Sequence, residues 1–240
     1  AARFAVFVGT AFPDTPLPKA QFVGMPLRAQ ITDLADAREE TRAERRARAR
    51  ADLGLDAYRP TLLVSGGSQG AVAINEAVIV ARERLLADGV QILHVLGPKN
   101  IQGATAVTDE STGASWLPVG YVDDMASAYA AADLMMARSG AGTVVETATV
   151  GLPTIYVPLP HGNGEQARNA TLAVDAGAGV VVANADLDAE RLLAETSRIH
   201  DTDALARMSA AGRGLMPAHA AEEMAVRVIL AARSIGPTTV

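Results

Sequence analysis

Three short polar turns carry the residues of this chain that could do chemistry. Each contains glycine, and each lies between an apolar, strand-like run and a helix-like run, at residues 65–71, 138–146 and 162–169. Glycine lets the backbone approach a ligand closely, and the helix that follows offers unpaired N–H groups and a partial positive charge to an anion. Because the carboxyl ends of parallel strands meet at one edge of a sheet, we expect the three turns to form one pocket.

The first turn suits a diphosphate. Gly66 and Gly67 follow an apolar run, and Gln69 opens the helix-like run behind them, with the Ser68 hydroxyl as a further donor. The alternative is a tight strand-to-helix connection capped by Ser68. This turn is not a P-loop, because no Gly-Lys-Ser or Gly-Lys-Thr follows it.

The second turn repeats the pattern with small residues ahead of a helix, namely Ser139, Gly140, Ala141, Gly142 and Thr143. Glu146 lies one helical turn further on. A carboxylate accepts two hydrogen bonds, which suits the vicinal hydroxyls of a ribose. The spacing of Thr143 and Glu146 also fits a helix-capping box, and spacing alone favours neither interpretation.

The third turn presents Glu165, Gln166 and Asn169 in the first turn of a helix, where they can point at sugar hydroxyls. The alternative is ordinary helix capping, with an acidic residue favoured by the helix dipole. We favour ligand binding, because a loop this polar after an apolar strand is costly to keep unless something binds it. His161 has no second histidine or carboxylate at ligand spacing, so we predict no metal site.

Composition excludes several classes of protein. The net charge of −6 over 240 residues argues against a nucleic-acid partner, which would need a basic face. The absence of cysteine excludes disulfides and a cysteine nucleophile and fits a reducing compartment. No apolar run approaches the roughly 20 residues that span a bilayer, so any membrane contact would be peripheral.

The elements that must position these turns alternate from Arg59 onward. Apolar runs predict strands at 61–65, 91–96, 115–119, 133–137, 153–157 and 179–182. Helices are predicted at 69–87, 125–132, 142–150 and 165–176, and three more near 188–198, 202–213 and 217–233. Continuous apolar strands separated by helices predict an α/β fold with a parallel sheet covered by helices on both faces.

Residues before Arg59 are less regular. We predict strands at 3–8 and 21–24, a hinge at 25–28 and a charged helix at 38–53, whose charges we interpret as a solvated face rather than an interaction patch. The first strand has no initiator Met or preceding cap, so we expect a chain that begins within a longer protein. His94 and the Met135–Met136 pair are interpreted as core, and His200 and His219 as surface residues.

Taken in order, these motifs resemble the C-terminal half of the MurG family, the peptidoglycan N-acetylglucosaminyltransferases. The resemblance covers nearly the whole chain from about Gly9. The stretches that carry it are Gly24-Met25-Pro26-Leu27-Arg28, 66–71 with Asn75, Tyr121-Val122-Asp123-Asp124-Met125 with Tyr129, 138–146, and Glu165-Gln166 with Asn169. It implies the two-domain GT-B architecture. Residues 1–27 would then end the N-terminal acceptor domain and linker, and residues 28–240 would form a Rossmann-like, UDP-GlcNAc-binding domain.

The activity that this resemblance implies is inverting transfer of GlcNAc from UDP-GlcNAc to the muramoyl 4-hydroxyl of lipid I, giving lipid II in peptidoglycan biosynthesis. The intact enzyme would work as a peripheral protein on the cytoplasmic face of the plasma membrane. No catalytic residue is assigned here, because the family's general base is expected in the N-terminal half. The alternatives are a non-catalytic nucleotide-sugar binding module and another GT-B enzyme, such as a UDP-GlcNAc 2-epimerase.

The resemblance also implies residue roles. Arg28 and Ser68 would contact the diphosphate, and the backbone of Val122 would read the uracil edge. Ala141, Gly142 and Thr143 would line the phosphate and ribose, Glu146 would hold the ribose hydroxyls, and Gln166 with Glu165 would bind the GlcNAc ring. The family often has two glutamines where this chain has Glu165-Gln166. No cofactor is implied, and closure about residues 25–28 would complete the site.

Overall fold

The computed structural model describes residues 4–67, 71–161 and 163–234, so the predicted site residues Ser68 and Gln69 lie outside the described residues. The strands are β1 (Val8–Thr10), β2 (Ala20–Phe22), β3 (Thr61–Ser65), β4 (Gln91–Val95), β5 (Val107–Thr108), β6 (Ser115–Val119), β7 (Leu134–Ala137), β8 (Thr154–Tyr156) and β9 (Gly179–Val181). The helices are α1 (Ala29–Ala35), α2 (Glu39–Asp52), α3 (Val72–Ala87), α4 (Met125–Ala131), α5 (Ala141–Val150), α6 (Glu165–Asp175), α7 (Ala189–Thr196), α8 (Thr202–Gly212) and α9 (Ala220–Ser234). The region after β9 is helical, as predicted.

A seven-stranded sheet forms the centre of the molecule, in the order β5-β6-β4-β3-β7-β8-β9. Only the short β5 pairs antiparallel among these described strands; the other pairs are parallel. With β5 set aside, the parallel strands follow the 3-2-1-4-5-6 order of a doubly wound sheet. The strand order reverses between β3 and β7, and such a switch point is where these sheets bind ligands.

Successive residues of the central strands face opposite sides of the sheet. Leu62 and Val64 pack in one core cluster with α3 and α7, while Leu63 packs in a second cluster with α1 and α4. Met135 and Met136 divide between the same two clusters, which confirms both as core. Helices therefore cover both faces, and this explains why the strands are apolar throughout. The α/β fold with a parallel sheet is confirmed.

Helix α2 differs from its predicted role as a solvated charged face. Arg42, Arg46 and Arg50 are spaced four apart and lie in a row on one face of the helix, with Arg50 buried and Arg46 half exposed. Arg42 donates to three backbone carbonyls, including that of Val150. Arg46 and the buried Arg50 share the two carboxylate oxygens of Asp133, at 2.6 and 2.8 Å. These arginines fasten α2 to the main sheet, so the interpretation was wrong for this row.

The N-terminal region forms its own small sheet. β1 and β2 pair in parallel, and α9 lies against them, with Met224 beside Gly9 and Arg227 bonded to Gln21. The first strand shares only Val8 with the predicted 3–8 strand, so that prediction is wrong for residues 4–7. Helix α1 and strand β5 were not predicted, because seven and two residues are too few to show a periodic pattern. No helix of the described ranges is long and apolar enough to cross a membrane.

His94 is a buried core residue, as predicted. Its Nδ1 accepts from the Trp116 indole at 3.2 Å, and its Nε2 lies 3.1 Å from Asn75 Oδ1. Because an indole N–H only donates, the ring proton lies on Nε2 and is donated to Asn75. Desolvation lowers the pKa of His94 to about 4, so the ring stays neutral. Asn75 in turn donates to the Leu96 carbonyl and fastens α3 to the end of β4.

Candidate functional site

The three predicted turns begin at the same level of the sheet. In the strand register, Ser65 at the end of β3 pairs with Ala137 of β7, and Ala137 pairs with Tyr156 of β8. The turns that follow these residues therefore lie side by side at the carboxyl edge. The first two flank the switch point between β3 and β7. The sequence prediction that one sheet edge gathers the turns is confirmed in this respect.

The start of helix α5 has unpaired donors. Its N-cap is Gly140, without a capping side chain, and its first intrahelical bond runs from the Val144 N–H to the Gly140 carbonyl. The N–H groups of Ala141, Gly142 and Thr143 therefore have no acceptor within the helix. Three such groups together with the helix dipole suit an anion.

Two glycines at this turn are not required by the fold. Gly140 and Gly142 have ordinary negative φ angles, and a Cβ atom on either would meet no described atom within 4 Å. Helix propensity disfavours Gly142, since glycine costs about 1 kcal/mol relative to alanine inside a helix. Open space in front of both residues fits a ligand that approaches the backbone closely. Gly67, in the first turn, combines φ of +79° with the same open space.

Ser139 lies under this turn and is fully buried. Its hydroxyl oxygen finds no hydrogen-bond partner among the described residues. Its carbonyl accepts a bond of 3.1 Å from the Asn169 side-chain amide, which is also buried. Asn169 thus fastens the first turn of α6 to the second glycine turn. Its Nδ2 group is used within the protein, a contact that the sequence did not reveal.

The third turn is tied to the second by side chains. Arg138 donates to the carbonyls of Val157 and Pro158, both at 3.1 Å. Gln166 accepts from the Leu159 N–H at 3.0 Å, so its Oε1 atom orders the loop after β8. Both contacts join the end of β8 to the site. Arg138 begins the second sequence motif, but no role was predicted for it.

The capping alternative for helix α6 is partly realised. Asn163 accepts from the Glu165 N–H at 3.1 Å, and its own carbonyl accepts from Arg168. Gly164, at φ of +74°, occupies the N-cap position. Glu165 itself is exposed, while Gln166 is half-buried. Because Asn163 accepts from the start of the helix, the side chains of Glu165 and Gln166 do not cap it.

The spacing of Thr143 and Glu146 allowed a capping bond within α5, but Glu146 contacts Tyr129 of α4 and Arg28 instead. Because α5 begins at Ala141, Thr143 lies inside the helix and does not cap it. The Glu146 carboxylate accepts from the Tyr129 hydroxyl at 2.7 Å and from Arg28 Nη2 at 3.2 Å. A capping box is therefore not formed. The sequence missed Tyr129 as a direct partner, although a buried tyrosine on a helix generally needs one.

The titration behaviour of this cluster follows from its contacts. Burial, and then the charge of Glu146, raise the pKa of Tyr129 well above its ordinary value, so the hydroxyl remains a donor. Bonds from the Ser127 hydroxyl and from the N–H groups of Ser127 and Ala126 lower the pKa of Asp124, which caps α4. Val122 lies just before that cap, half-buried against the core.

A cavity of about 560 Å³ lies at the opposite, amino edge of the sheet. Among its lining residues are Arg42, Arg46, Asp133 and Arg213. The three arginines already donate to carbonyls or carboxylates of the protein, Asp133 among them. No predicted site residue lines this cavity. Among the described residues, no group of three or more His, Asp or Glu side chains is arranged to hold a metal ion.

Residues 61–224 match the model of the glycosyltransferase family 28 C-terminal domain. This chain belongs to that family. The matched segment runs from the first strand of the main sheet into α9, and it contains the three turns and Glu146. The main sheet and the three turns therefore lie within the family's domain, whereas β1 and β2 precede it.

Relatives with the same printed name support a narrower comparison. The chain is 89% identical over 99% of its length to a UDP-N-acetylglucosamine–N-acetylmuramyl-(pentapeptide) pyrophosphoryl-undecaprenol N-acetylglucosamine transferase of Cutibacterium acnes, and 48% identical to that of a Nocardioides species over 95%. It spans 64% and 61% of the lengths of these two proteins, which is less than two thirds of either.

Solved structures give the same picture. A crystal structure of Acinetobacter baumannii MurG matches 88% of this chain and 56% of that one, with a TM-score of 0.68 and 28% identity. The calicheamicin glycosyltransferase CalG4 matches 94% of this chain and 50% of that one, with a TM-score of 0.61. At 18% identity the second likeness concerns the fold alone, and it supports the GT-B assignment.

Proposed function

We propose that this chain is the donor-binding part of a transferase that moves GlcNAc from UDP-GlcNAc to the muramoyl 4-hydroxyl of lipid I. The observation that carries the proposal is the alignment of three turns at the carboxyl edge of the sheet, two of them flanking the switch point. Helix α5 starts there with N–H groups that have no acceptor within the helix, and it carries the Glu146 carboxylate. The 89% identical relative is named as such a transferase.

The donor nucleotide would occupy the carboxyl edge from one end to the other. The N–H groups at the start of α5 would bind the diphosphate together with Arg28, and Glu146 would accept from the ribose hydroxyls. The loop that holds Val122 would meet the uracil. Gln166, whose Oε1 atom orders the loop after β8, would offer its amide nitrogen to the sugar.

The chemistry at this site would be stabilisation of a leaving group. When the acceptor hydroxyl attacks the anomeric carbon, the bond to the diphosphate breaks and negative charge develops on UDP. The N–H groups at the start of α5 would face that charge with little rearrangement. Arg28 would add its own charge after turning from Glu146 toward the phosphates. The general base and the lipid I acceptor site belong, in this proposal, to an N-terminal domain. Residues 1–27 would form the last part of that domain and the linker.

Location follows from the acceptor. Lipid I is membrane-bound, so the intact enzyme would act as a peripheral protein at the cytoplasmic face of the plasma membrane. A non-catalytic nucleotide-sugar module and a 2-epimerase are outcomes that the experiment must separate from transfer.

Calorimetric titration of this chain with UDP-GlcNAc, UDP-glucose and UDP-GalNAc tests donor recognition. We expect UDP-GlcNAc to bind most tightly. The same sequence joined to the N-terminal part of its Cutibacterium acnes relative should then transfer labelled GlcNAc to lipid I. Selective binding without transfer would favour a binding module, and release of UDP with formation of a 2-epimer would favour the epimerase.

A further inference from the structure

The two carboxylate oxygens of Glu146 accept hydrogen bonds from two donors, one buried and one exposed. The Tyr129 hydroxyl donates to Oε2 over 2.7 Å, and Arg28 Nη2 donates to Oε1 over 3.2 Å. Tyr129 is 5% exposed, whereas the Arg28 side chain is 51% exposed. One partner is embedded in the core, and the other lies at the surface, where a ligand can replace it.

The tyrosine side of this arrangement is rigid. Its ring packs in the same core cluster as Leu63 and Leu93 of the central strands. Helix α4, which carries it, is fixed at its start by the Asp124 cap. A tyrosine side chain has only two torsions, so a packed ring fixes the position of its hydroxyl. That hydroxyl keeps its proton at neutral pH and always donates to Glu146.

The arginine side is replaceable. Ion pairs with an exposed partner contribute little to stability, so Arg28 can leave Glu146 at small cost. Arg28 is also the residue proposed above to meet the diphosphate. When it turns toward the phosphates, Oε1 of Glu146 becomes available while Oε2 stays bonded to Tyr129.

We propose that Tyr129 is a positioning residue for ribose recognition, holding Glu146 so that Oε1 accepts from the vicinal hydroxyls of a nucleoside diphosphate. This inference rests on the proposed function, because it presupposes that a nucleotide binds at this edge. Without the Tyr129 hydroxyl, the carboxylate loses its fixed donor and is free to rotate and to follow Arg28.

The test compares two ligands that differ only in the ribose hydroxyls. UDP and 2′,3′-dideoxy-UDP are titrated calorimetrically into the wild-type chain, into Tyr129→Phe and into the control Tyr156→Phe. Tyr156 is also a buried tyrosine, and its hydroxyl bonds to Thr147, the residue next to Glu146 on α5. The control therefore removes the same group from the same neighbourhood without touching the carboxylate.

We expect Tyr129→Phe to weaken UDP binding about tenfold or more, the scale for a lost hydrogen bond to a charged group, and to leave dideoxy-UDP binding unchanged. Tyr156→Phe should leave the ratio of the two affinities at its wild-type value. Equal weakening of both ligands by Tyr129→Phe would mean that the bond only fastens α4 to α5, and would overturn the inference. Unchanged affinity for UDP would overturn it as well.

A double-mutant cycle separates positioning from a general effect. In the background of Glu146→Gln, Tyr129→Phe should have little further effect on UDP, because the two residues act as one unit. Additive losses would contradict the inference. If the wild-type chain binds no UDP at all, both the proposed function and this inference fail. If the wild-type chain binds UDP and Tyr129→Phe binds it with the same affinity, only the inference fails.

Discussion

The cavity at the amino edge of the main sheet and the turns at its carboxyl edge differ in how fully their polar groups are paired. At the amino edge, a cavity of about 560 Å³ is lined by arginines that already donate to carbonyls and to Asp133. At the carboxyl edge, the start of α5 has N–H groups without helical acceptors, and the buried Ser139 hydroxyl has no partner among the described residues.

Pairing locates a binding site better than volume does. A buried or constrained polar group without a partner costs free energy, so a fold keeps it where a ligand supplies the partner. The arginines that line the cavity stabilise the fold, and their N–H groups are largely used in bonds within the protein. At the carboxyl edge, polar groups lack partners within the described protein, as they do in a binding site without its ligand. Gly140 and Gly142, which the backbone conformation does not require, leave space in front of these groups.

Asp133→Ala should produce the largest effect, and on stability alone. It removes the shared acceptor of Arg46, Arg50 and the Thr61 N–H, leaving the buried Arg50 without its carboxylate. We expect the free energy of unfolding to fall by about 3–5 kcal/mol, measured by urea titration. UDP affinity of the folded fraction should not change.

The control for that prediction is Asp52→Ala. Asp52 pairs with Arg48 at 3.6 Å on the exposed side of α2, so its loss should cost less than about 1 kcal/mol. Similar losses for the two variants would mean that the amino edge is not held by its buried pair.

Glu146→Ala should act on binding instead. It removes the carboxylate proposed to hold the ribose, and UDP affinity should fall by about 1–3 kcal/mol in calorimetry. Glu190→Ala, which breaks the exposed pair with Arg84, serves as control and should leave affinity unchanged. If Glu146→Ala binds UDP as tightly as the wild-type chain, Glu146 contacts only Tyr129 and Arg28 and does not bind the ribose.

Gln166→Ala should separate the sugar from the nucleotide. We expect UDP-GlcNAc to bind more weakly by about 1 kcal/mol, the net value of one hydrogen bond, while UDP binds as before. Thr171→Ala, an exposed change on the same helix, is the control. Equal losses for UDP and UDP-GlcNAc would contradict a sugar-reading role and point to the loop contact with Leu159.

Gly142→Ala should have the smallest effect on stability and the opposite sign. A Cβ there meets no atom and the backbone is helical, so the free energy of unfolding should rise by about 0.5–1 kcal/mol. UDP affinity should fall, because the methyl group occupies the space where a phosphate would approach the backbone.

Gly177→Ala is a matched control for that substitution. Gly177 also faces open space, but its φ is +81°, so alanine is strained there and should destabilise the fold without changing UDP affinity. If Gly142→Ala stabilises the fold and leaves UDP binding intact, the open space at α5 is not the phosphate site.

The sequence predicts the sheet well because its signals are local. Each central strand is an apolar run that ends at a glycine turn, so Thr61–Ser65 and Ser115–Val119 have the predicted bounds. The turns follow directly, and their meeting at one edge follows from parallel pairing.

What could not be predicted depends on partners distant in sequence. Arg46 and Arg50 on α2 contact Asp133, which lies 83 residues beyond Arg50, and a helical charge pattern does not reveal which charges find such a partner. Glu146 meets Arg28 across 118 residues, which spacing within α5 cannot show. The Tyr129 contact was within reach, since its buried position calls for a hydrogen-bond partner.

The central claim is that the nucleotide binds at the carboxyl edge of the sheet, and NMR can test it directly. UDP-GlcNAc is titrated into the ¹⁵N-labelled chain, and the backbone amide shifts of both edges are followed by NMR. We expect large shifts for Ala141, Gly142 and Thr143, and unchanged shifts for Gly151 and Ala206, which line the cavity. Shifts confined to Gly151 and Ala206 would contradict this, because the nucleotide would then occupy the cavity whose arginines are already paired.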